Sequence, residues 1–360
     1  MGAGQRVRRG SGGGAEAGHE RGDGQGGGRG VGWWRIGADT LAGGRFVVSP
    51  LAETVAALKA LHAGRAGHPG ERGWLAEHLP AYRARIAAEP LDGLLVRAAI
   101  SPTWNADFLT PTPLGEGERC FEEEVAVVRA TGQPAALADL AVSVGGPVPE
   151  PLASARDLPG RLAELLTWVW RETVLPEWPR RRRVMEADVT ARTARLARDG
   201  WAAALDELCP GKMRWLGNGR LQVNARDYPP RSVEGGRLLL VPVTPKTGWV
   251  SWDATREGDE RYAIVYPCAG VLAHGAGPAV PEALGALLGP ARAGVLLRLE
   301  APLSTSQLVA LTGQGLGSVG RHLKVLHDAG LVRRRRAGRS VLYDWTEAGA
   351  VLVRAQRPAP

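Results

Sequence analysis

From Pro281 onward, Gly, Pro, Ser and Thr interrupt the apolar pattern so often that only short helices and one hairpin fit the rest of the chain. Pro281 to Leu288 reads as one helix and Pro290 to Leu299 as a second. Ser304 can cap a third, Thr305 to Leu311, and Thr312-Gly313-Gln314 has the length and glycine of a turn between two packed helices. A fourth helix runs from Leu316 to about Ala329 and stops at Gly330, a residue suited to the left-handed position after a helix end. Leu331 to Arg336, Ala337-Gly338 and Arg339 to Trp345 read as a hairpin, with Val332 and Leu342 inward and Tyr343 and Trp345 packing beside them. Thr346 caps a last helix ending near Arg354.

At 100° per residue, the fourth helix separates its side chains cleanly. Leu316, Val319, Leu323 and Leu326 form a core side, Gly317, Arg321, Lys324 and Asp328 lie opposite, and Ser318 and Gly320 flank the boundary. Between Arg321 and Arg339 stand seven Arg or Lys residues and one acid, a net charge of +6. A basic outer stripe on such a helix suits insertion into a major groove, where Arg321 can reach a base edge, most naturally guanine. Taken alone, the helix is equally a solvated amphipathic one. The hairpin that follows, with Arg334, Arg335, Arg336 and Arg339 at its tip, shifts the balance toward contact with a minor groove or flanking phosphates.

The string Gly320-Arg321-His322-Leu323-Lys324-Val325-Leu326-His327-Asp328-Ala329-Gly330-Leu331-Val332 resembles the recognition helix of ArsR-type regulators, and Arg336-Ala337-Gly338-Arg339-Ser340-Val341-Leu342-Tyr343 resembles that family's wing. The resemblance covers about the last quarter of the chain. It implies a winged helix-turn-helix that binds double-stranded DNA, with Ser318, Arg321, His322 and Lys324 facing DNA and Arg336 and Arg339 as wing contacts. Thr305, Gly317 and Arg334 complete the candidate set. His322 has two readings, a DNA-facing residue or a buried or phosphate-capping one.

Three departures matter. Gly315 and Gly320 stand where serines are common and Gly317 adds a third glycine, so the helix is expected to be looser and to read fewer bases. Ser304 and Ser306 occupy the region where metal-sensing relatives carry Cys-x-Cys, and the last helix offers only Glu347. Metal sensing does not carry over, and neither a metal nor another cofactor is expected.

The upstream chain is expected to be mainly helical with a small β section, giving an α+β protein overall. Residues 1–32, of which fourteen are Gly, read as a disordered tail. Residues 33–268 read as an N-terminal domain for sensing or dimerisation, 269–280 as a linker and 281–356 as the winged helix-turn-helix. Ser49-Pro50 starts a helix carrying Leu51, Val55, Leu58 and Leu61; a second helical pattern covers Trp74 to Ala88. Residues 100 to 157 suggest short helices and loops, with Glu122, Glu123 and Glu124 on a solvated face. A helix over 159–175 buries Leu162, Leu165, Leu166 and Val169, and a long one follows from Pro179 to Leu208, its Arg180 to Arg183 solvated. Arg214 to Gly217 and Arg220 to Asn224 flank the hairpin signal Asn218-Gly219; Arg237 to Val243 and Tyr262 to Tyr266 are further strands. Trp34 to Leu61, Trp178 to Pro210 and Tyr262 to Val271 also resemble an uncharacterised domain often fused ahead of ArsR-type domains.

Bulk properties fit this reading. The charge of +8 suits a polyanion partner, and no apolar run is long enough for a bilayer. The basic N-terminus has no apolar signal segment, so a cytoplasmic protein is expected. Cys120, Cys209 and Cys268 are scattered and read as buried free thiols. The usual nucleophile, phosphate-loop, zinc-protease and dinucleotide motifs are missing, and His62, His68 and His78 do not share a helical face, so no enzyme is expected. The reading is a DNA-binding repressor acting as a homodimer, with a small-molecule effector as a possible partner. The alternative is an enzyme or small-molecule-binding domain fused to a nucleic-acid-binding module.

Overall fold

The computed structural model describes residues 32–67, 71–101, 104–115, 117, 119–206, 208, 213–223, 230–254, 259–268, 280–299, 302–312, 314–337 and 340–356. The Gly-rich tail up to residue 31, His68, Cys209, residues 269–279 of the expected linker, and Arg339 lie outside the described residues.

The upstream chain opens with β1 (Trp33–Arg35), α1 (Ala38–Ala42) and β2 (Arg45–Phe46). Six helices follow: α2 (Pro50–Ala63), α3 (Glu71–Ala88), α4 (Pro90–Ala99), α5 (Phe121–Arg129), α6 (Gln133–Val144) and α7 (Leu158–Val169). They surround a core that includes Leu58, Leu95, Phe121, Leu140, Leu162 and Leu166, with Phe121 stacked on Trp170 at 4.9 Å. The serine-proline start of α2 forms as the sequence indicates: Ser49 Oγ accepts from the Ala52 N–H at 3.0 Å.

One carboxylate departs from the solvated reading of Glu122 to Glu124. Glu124 turns inward and accepts from Ser49 Oγ at 2.9 Å and from the Leu51 N–H at 2.8 Å, so it joins the cap of α2. Burial pushes its carboxyl up to about 7.

Beyond a π turn at Trp170–Val174 comes α8 (Trp178–Asp206). It is not the single continuous helix that its pattern suggests. Gly200, at φ 78° and ψ 176°, occupies a region open to glycine alone and breaks it, so that Trp201 and Leu205 turn into a second core. Arg181 also departs from the solvated reading. Its guanidinium donates to Glu53 at 2.6 Å, to Glu177 and to Thr244, with the Arg181 side chain 5% exposed and that of Glu53 0%. Four successive arginines on a helix point in four directions, and this one points into the protein.

The β section comprises β3 (Arg214–Gly217), β4 (Arg220–Gln222), β5 (Arg231–Ser232), β6 (Arg237–Val243), β7 (Trp249–Asp253) and β8 (Arg261–Pro267). Asn218 and Gly219, with φ of 51° and 68°, make the expected tight turn between β3 and β4. Two four-stranded sheets result, in the orders β3-β4-β1-β5 and β2-β6-β8-β7. In the second, β2, β6 and β8 are parallel, which explains the nearly unbroken apolar runs of β6 and β8: both of their faces are covered. The edge strand β7, absent from the sequence expectations, pairs antiparallel with β8.

The C-terminal elements are α9 (Glu282–Leu288), α10 (Pro290–Leu297), β9 (Leu303–Ser304), α11 (Thr305–Thr312), α12 (Leu316–Asp328), β10 (Val332–Ala337), β11 (Ser340–Trp345) and α13 (Glu347–Arg354). Apart from the short strand β9, which is not among the expected elements, they match the sequence boundaries to within two residues, and they enclose a separate core of Val295, Leu296, Leu308, Val319, Leu323, Leu326, Val332 and Val353. α11 lies against α8, where Leu311 packs beside Val184, Met185 and buried Cys268. Cys120 departs from the buried reading: it is exposed, at the N-cap position of α5. The whole is a mixed α+β protein with a helix-turn-helix at its C-terminal end.

Candidate nucleic-acid interface

The helix-turn-helix is assembled from local signals. Ser304 and Gln307 cap α11 reciprocally: the Ser304 N–H donates to Gln307 Oε1 at 2.8 Å, and the Gln307 N–H donates to Ser304 Oγ at 3.3 Å. Thr305, the first residue of α11, is half-buried. Gly315 precedes α12 without a side-chain cap. At the other end, Gly330 at φ 69° closes the helix, with the Leu331 N–H bonded to the Leu326 carbonyl and the Gly330 N–H to that of His327, both at 2.9 Å.

Val319, Leu323 and Leu326 seat α12 on the core, as its pattern requires. Leu316 does not: it is 62% exposed, because the first residue of the helix overhangs the edge of that core. Gly317, Arg321, Lys324 and Asp328 are all exposed on the outer side. Arg321 makes no ion pair among the described residues, whereas Lys324 donates to Asp328 at 2.7 Å, one turn on. Ser318 lies within 3.3 Å of both Gln314 Oε1 and His322 Nε2, forming a polar ladder on the flank of the helix. His322 is half-buried, and burial together with Arg292 and Arg321 lowers its pKa.

The β10–β11 hairpin follows at once. Its register sets Val332 opposite Trp345, Arg334 opposite Tyr343 and Arg336 opposite Val341, and β9 adds a third strand. Alternation puts Arg334 and Arg336 on the face of buried Val332, and Arg333 and Arg335 on the other. Trp345 Nε1 donates to the Leu296 carbonyl at 2.7 Å and Thr346 caps α13, which anchors the hairpin to the core. Arg333 is spent on Asp344, reached at 2.8 Å, while Arg334, Arg335 and Arg336 are exposed and make no ion pair among the described residues. Helix and hairpin face each other across a cleft of about 350 Å³, lined by Gly320, Lys324, His327, Asp328, Arg334 and Tyr343. His327 and Tyr343 were not singled out as site residues; the pairing of Tyr343 with Arg334 becomes visible only once the hairpin register is known.

Among the described residues no three His, Cys, Asp or Glu side chains come together to hold a metal ion, and no helix is long and apolar enough to cross a membrane. His62 Nδ1 stands 3.4 Å from Tyr82 Oη and His78 packs against Trp74, so these two histidines serve separate contacts.

A paired helix, a turn, an amphipathic second helix with a cationic outer side and a basic hairpin together define a DNA-binding helix-turn-helix unit of a transcription regulator. Residues 295–334, from α10 to the start of β10, match the family model of the bacterial regulatory protein, arsR family, so the C-terminal unit is an ArsR-family helix-turn-helix domain. Comparison with curated proteins and with solved structures gave no match.

Proposed function

We propose that the protein is a transcriptional repressor that binds duplex DNA as a homodimer, with α12 in the major groove and the β10–β11 hairpin as a wing. One observation carries this reading: Arg321 on the outer side of α12 and Arg334 to Arg336 on the adjacent hairpin are exposed cations without acidic partners among the described residues, held side by side by one small core. Cations that the fold leaves unneutralised are available to phosphates and base edges. Ser318, His322 and Lys324 border the same helix face, and Gly317 lets the backbone approach the groove closely. The Lys324–Asp328 pair is exposed and easily exchanged for a phosphate. Arg339, carried by the family resemblance, extends the wing set. A homodimer follows from the symmetry of the sites such units read.

The upstream part supplies sensing or dimerisation rather than catalysis, and the protein works in the cytoplasm, where its DNA is. A small-molecule effector acting there would reach the reading unit through α8, which lies against α11. The test is binding of the full-length protein to duplexes spanning the promoter of its own gene and of the neighbouring genes, at several salt concentrations. Affinity for one such duplex well above that for random sequence, falling steeply with salt, is expected. Equal and salt-independent binding to all of them would remove the reading.

A further inference from the structure

The β3-β4-β1-β5 sheet has two faces of opposite chemistry. Trp34, Leu221 and Trp215 point into the core that also holds Leu205, Leu208 and Val233. The register pairs Trp33 with Gln222 and Arg35 with Arg220 between β1 and β4, and Arg214 with Gln222 between β3 and β4. By alternation, Trp33, Arg35, Arg214, Arg220 and Gln222 share the other face. Arg35 and Arg214 are exposed, and the rest are half-buried. The Arg220 guanidinium lies 5.9 Å from the Trp33 ring centre. Among the described residues, no carboxylate comes within ion-pair distance of Arg35, Arg214 or Arg220. Like charges directly opposite on neighbouring strands destabilise a sheet, and Arg35 faces Arg220 in that way. A bound polyanion relieves that repulsion.

We infer that this face is a second contact for the phosphates of duplex DNA, separate from the helix-turn-helix and reaching the DNA that flanks its site. The inference rests on the DNA-binding reading of the C-terminal unit. Three arginines and an amide spread over three neighbouring strands suit an extended polyanion rather than a small ion held in a pocket. The Trp33 ring already carries the Arg220 guanidinium, so it is no open platform for stacking an unpaired base, which favours duplex over single strand. A second copy of the chain would bring like charge to like charge. The segment preceding Trp33 is also net basic, with five arginines against three acids in residues 1–31, so charge does not draw it onto this face. α8 links the two surfaces: Met185 packs beside Leu311, and Trp201, sixteen residues further on, packs under the sheet. The unbroken stretch of α8 from Met185 to the residue before the break at Gly200 is roughly 21 Å long at about 1.5 Å per residue, or about six base pairs at ~3.4 Å each.

The experiment uses the full-length protein, its Arg35→Gln/Arg214→Gln/Arg220→Gln variant, and duplexes of about 20 and about 60 base pairs, titrated between about 50 and 200 mM salt. On the long duplex, losing three phosphate contacts per protomer should lower the salt slope by about 2.7 for each protomer bound, so that each protomer makes the wild-type decline over this range about 40-fold steeper than the variant's. On the short duplex the two proteins should behave alike. Circular dichroism checks the fold, and the exposed single variants Arg35→Gln and Arg214→Gln, each expected to lower the slope by about 0.9, keep the test open if the triple variant unfolds. Wild-type binding with an identical slope for every variant on the long duplex overturns the second contact alone. Failure of the wild type to bind either duplex overturns the helix-turn-helix reading and this one with it. A loss confined to a single-stranded oligonucleotide of the same length overturns the duplex assignment.

Discussion

Arg181 on α8 and Glu53 in the first turn of α2 form an ion pair at 2.6 Å that is sealed from solvent. Glu53 also accepts from the N–H and hydroxyl of Thr244, just beyond β6, so one carboxylate ties together two helices and the end of a parallel strand. Removing one partner leaves the other charge buried without its closest counter-ion. Arg181→Ala or Glu53→Ala should therefore lower unfolding stability by about 3–5 kcal/mol. Replacing both with apolar residues of similar volume should recover most of that loss. Urea denaturation of the three variants measures both effects.

The buried carboxyl of Glu124 predicts a pH dependence of stability. Its folded pKa, raised to about 7 by burial, lies above the ordinary carboxylate value, so the folded state holds a proton that the unfolded state releases first. Asp107, raised to about 6 by burial and by Asp139, acts in the same direction. The sign follows: these two groups make stability fall as pH rises from about 4.5 to 7. Glu124→Gln keeps an oxygen acceptor for Ser49 and Leu51 and removes the proton. It should flatten the profile and raise stability at pH 8 by about 2–3 kcal/mol. Thermal melts of both proteins between pH 4 and 8 provide the comparison.

The glycines of α12 are not demanded by its backbone. Gly317 and Gly320 have no positive φ, and a β-carbon at either would meet nothing within 4 Å. Gly320→Ala and Gly317→Ala should each stabilise the protein by about 0.5–1 kcal/mol. Denaturant midpoints measure this. A gain in stability with weaker or narrower DNA binding would show that the glycines serve close approach to the groove.

Arg334 and Arg336 share the hairpin face turned toward the α12 cleft. Arg334→Ala and Arg336→Ala should each weaken binding to all duplex sequences alike and reduce the salt slope by about 0.9. Fluorescence anisotropy at several salt concentrations reads the slope.

The contrast between these residues explains what the sequence made legible. The C-terminal elements were readable because each is bounded by a signal a few residues away: Ser304 with Gln307, Gly330 after α12, Thr346 before α13. Arg181 and Glu124 were misread because their partners lie far off in sequence, Glu53 at 128 positions and Ser49 at 75. No local pattern marks such a partner. Strand existence in β6 and β8 followed from apolar runs, but their parallel pairing depends on how α8 and the helices cover both faces. Leu316 shows the limit of periodicity: it predicts which side of a helix is apolar, and the outline of the core decides how far along the helix that side is covered.

The most direct test concerns Arg321. Wild-type protein and Arg321→Ala are titrated against the best promoter duplex and against versions with each base pair substituted in turn. The account predicts that Arg321→Ala loses about 1–3 kcal/mol on the original sequence and becomes indifferent at one or two positions. A variant that binds every duplex with the affinity and preferences of the wild type would contradict it.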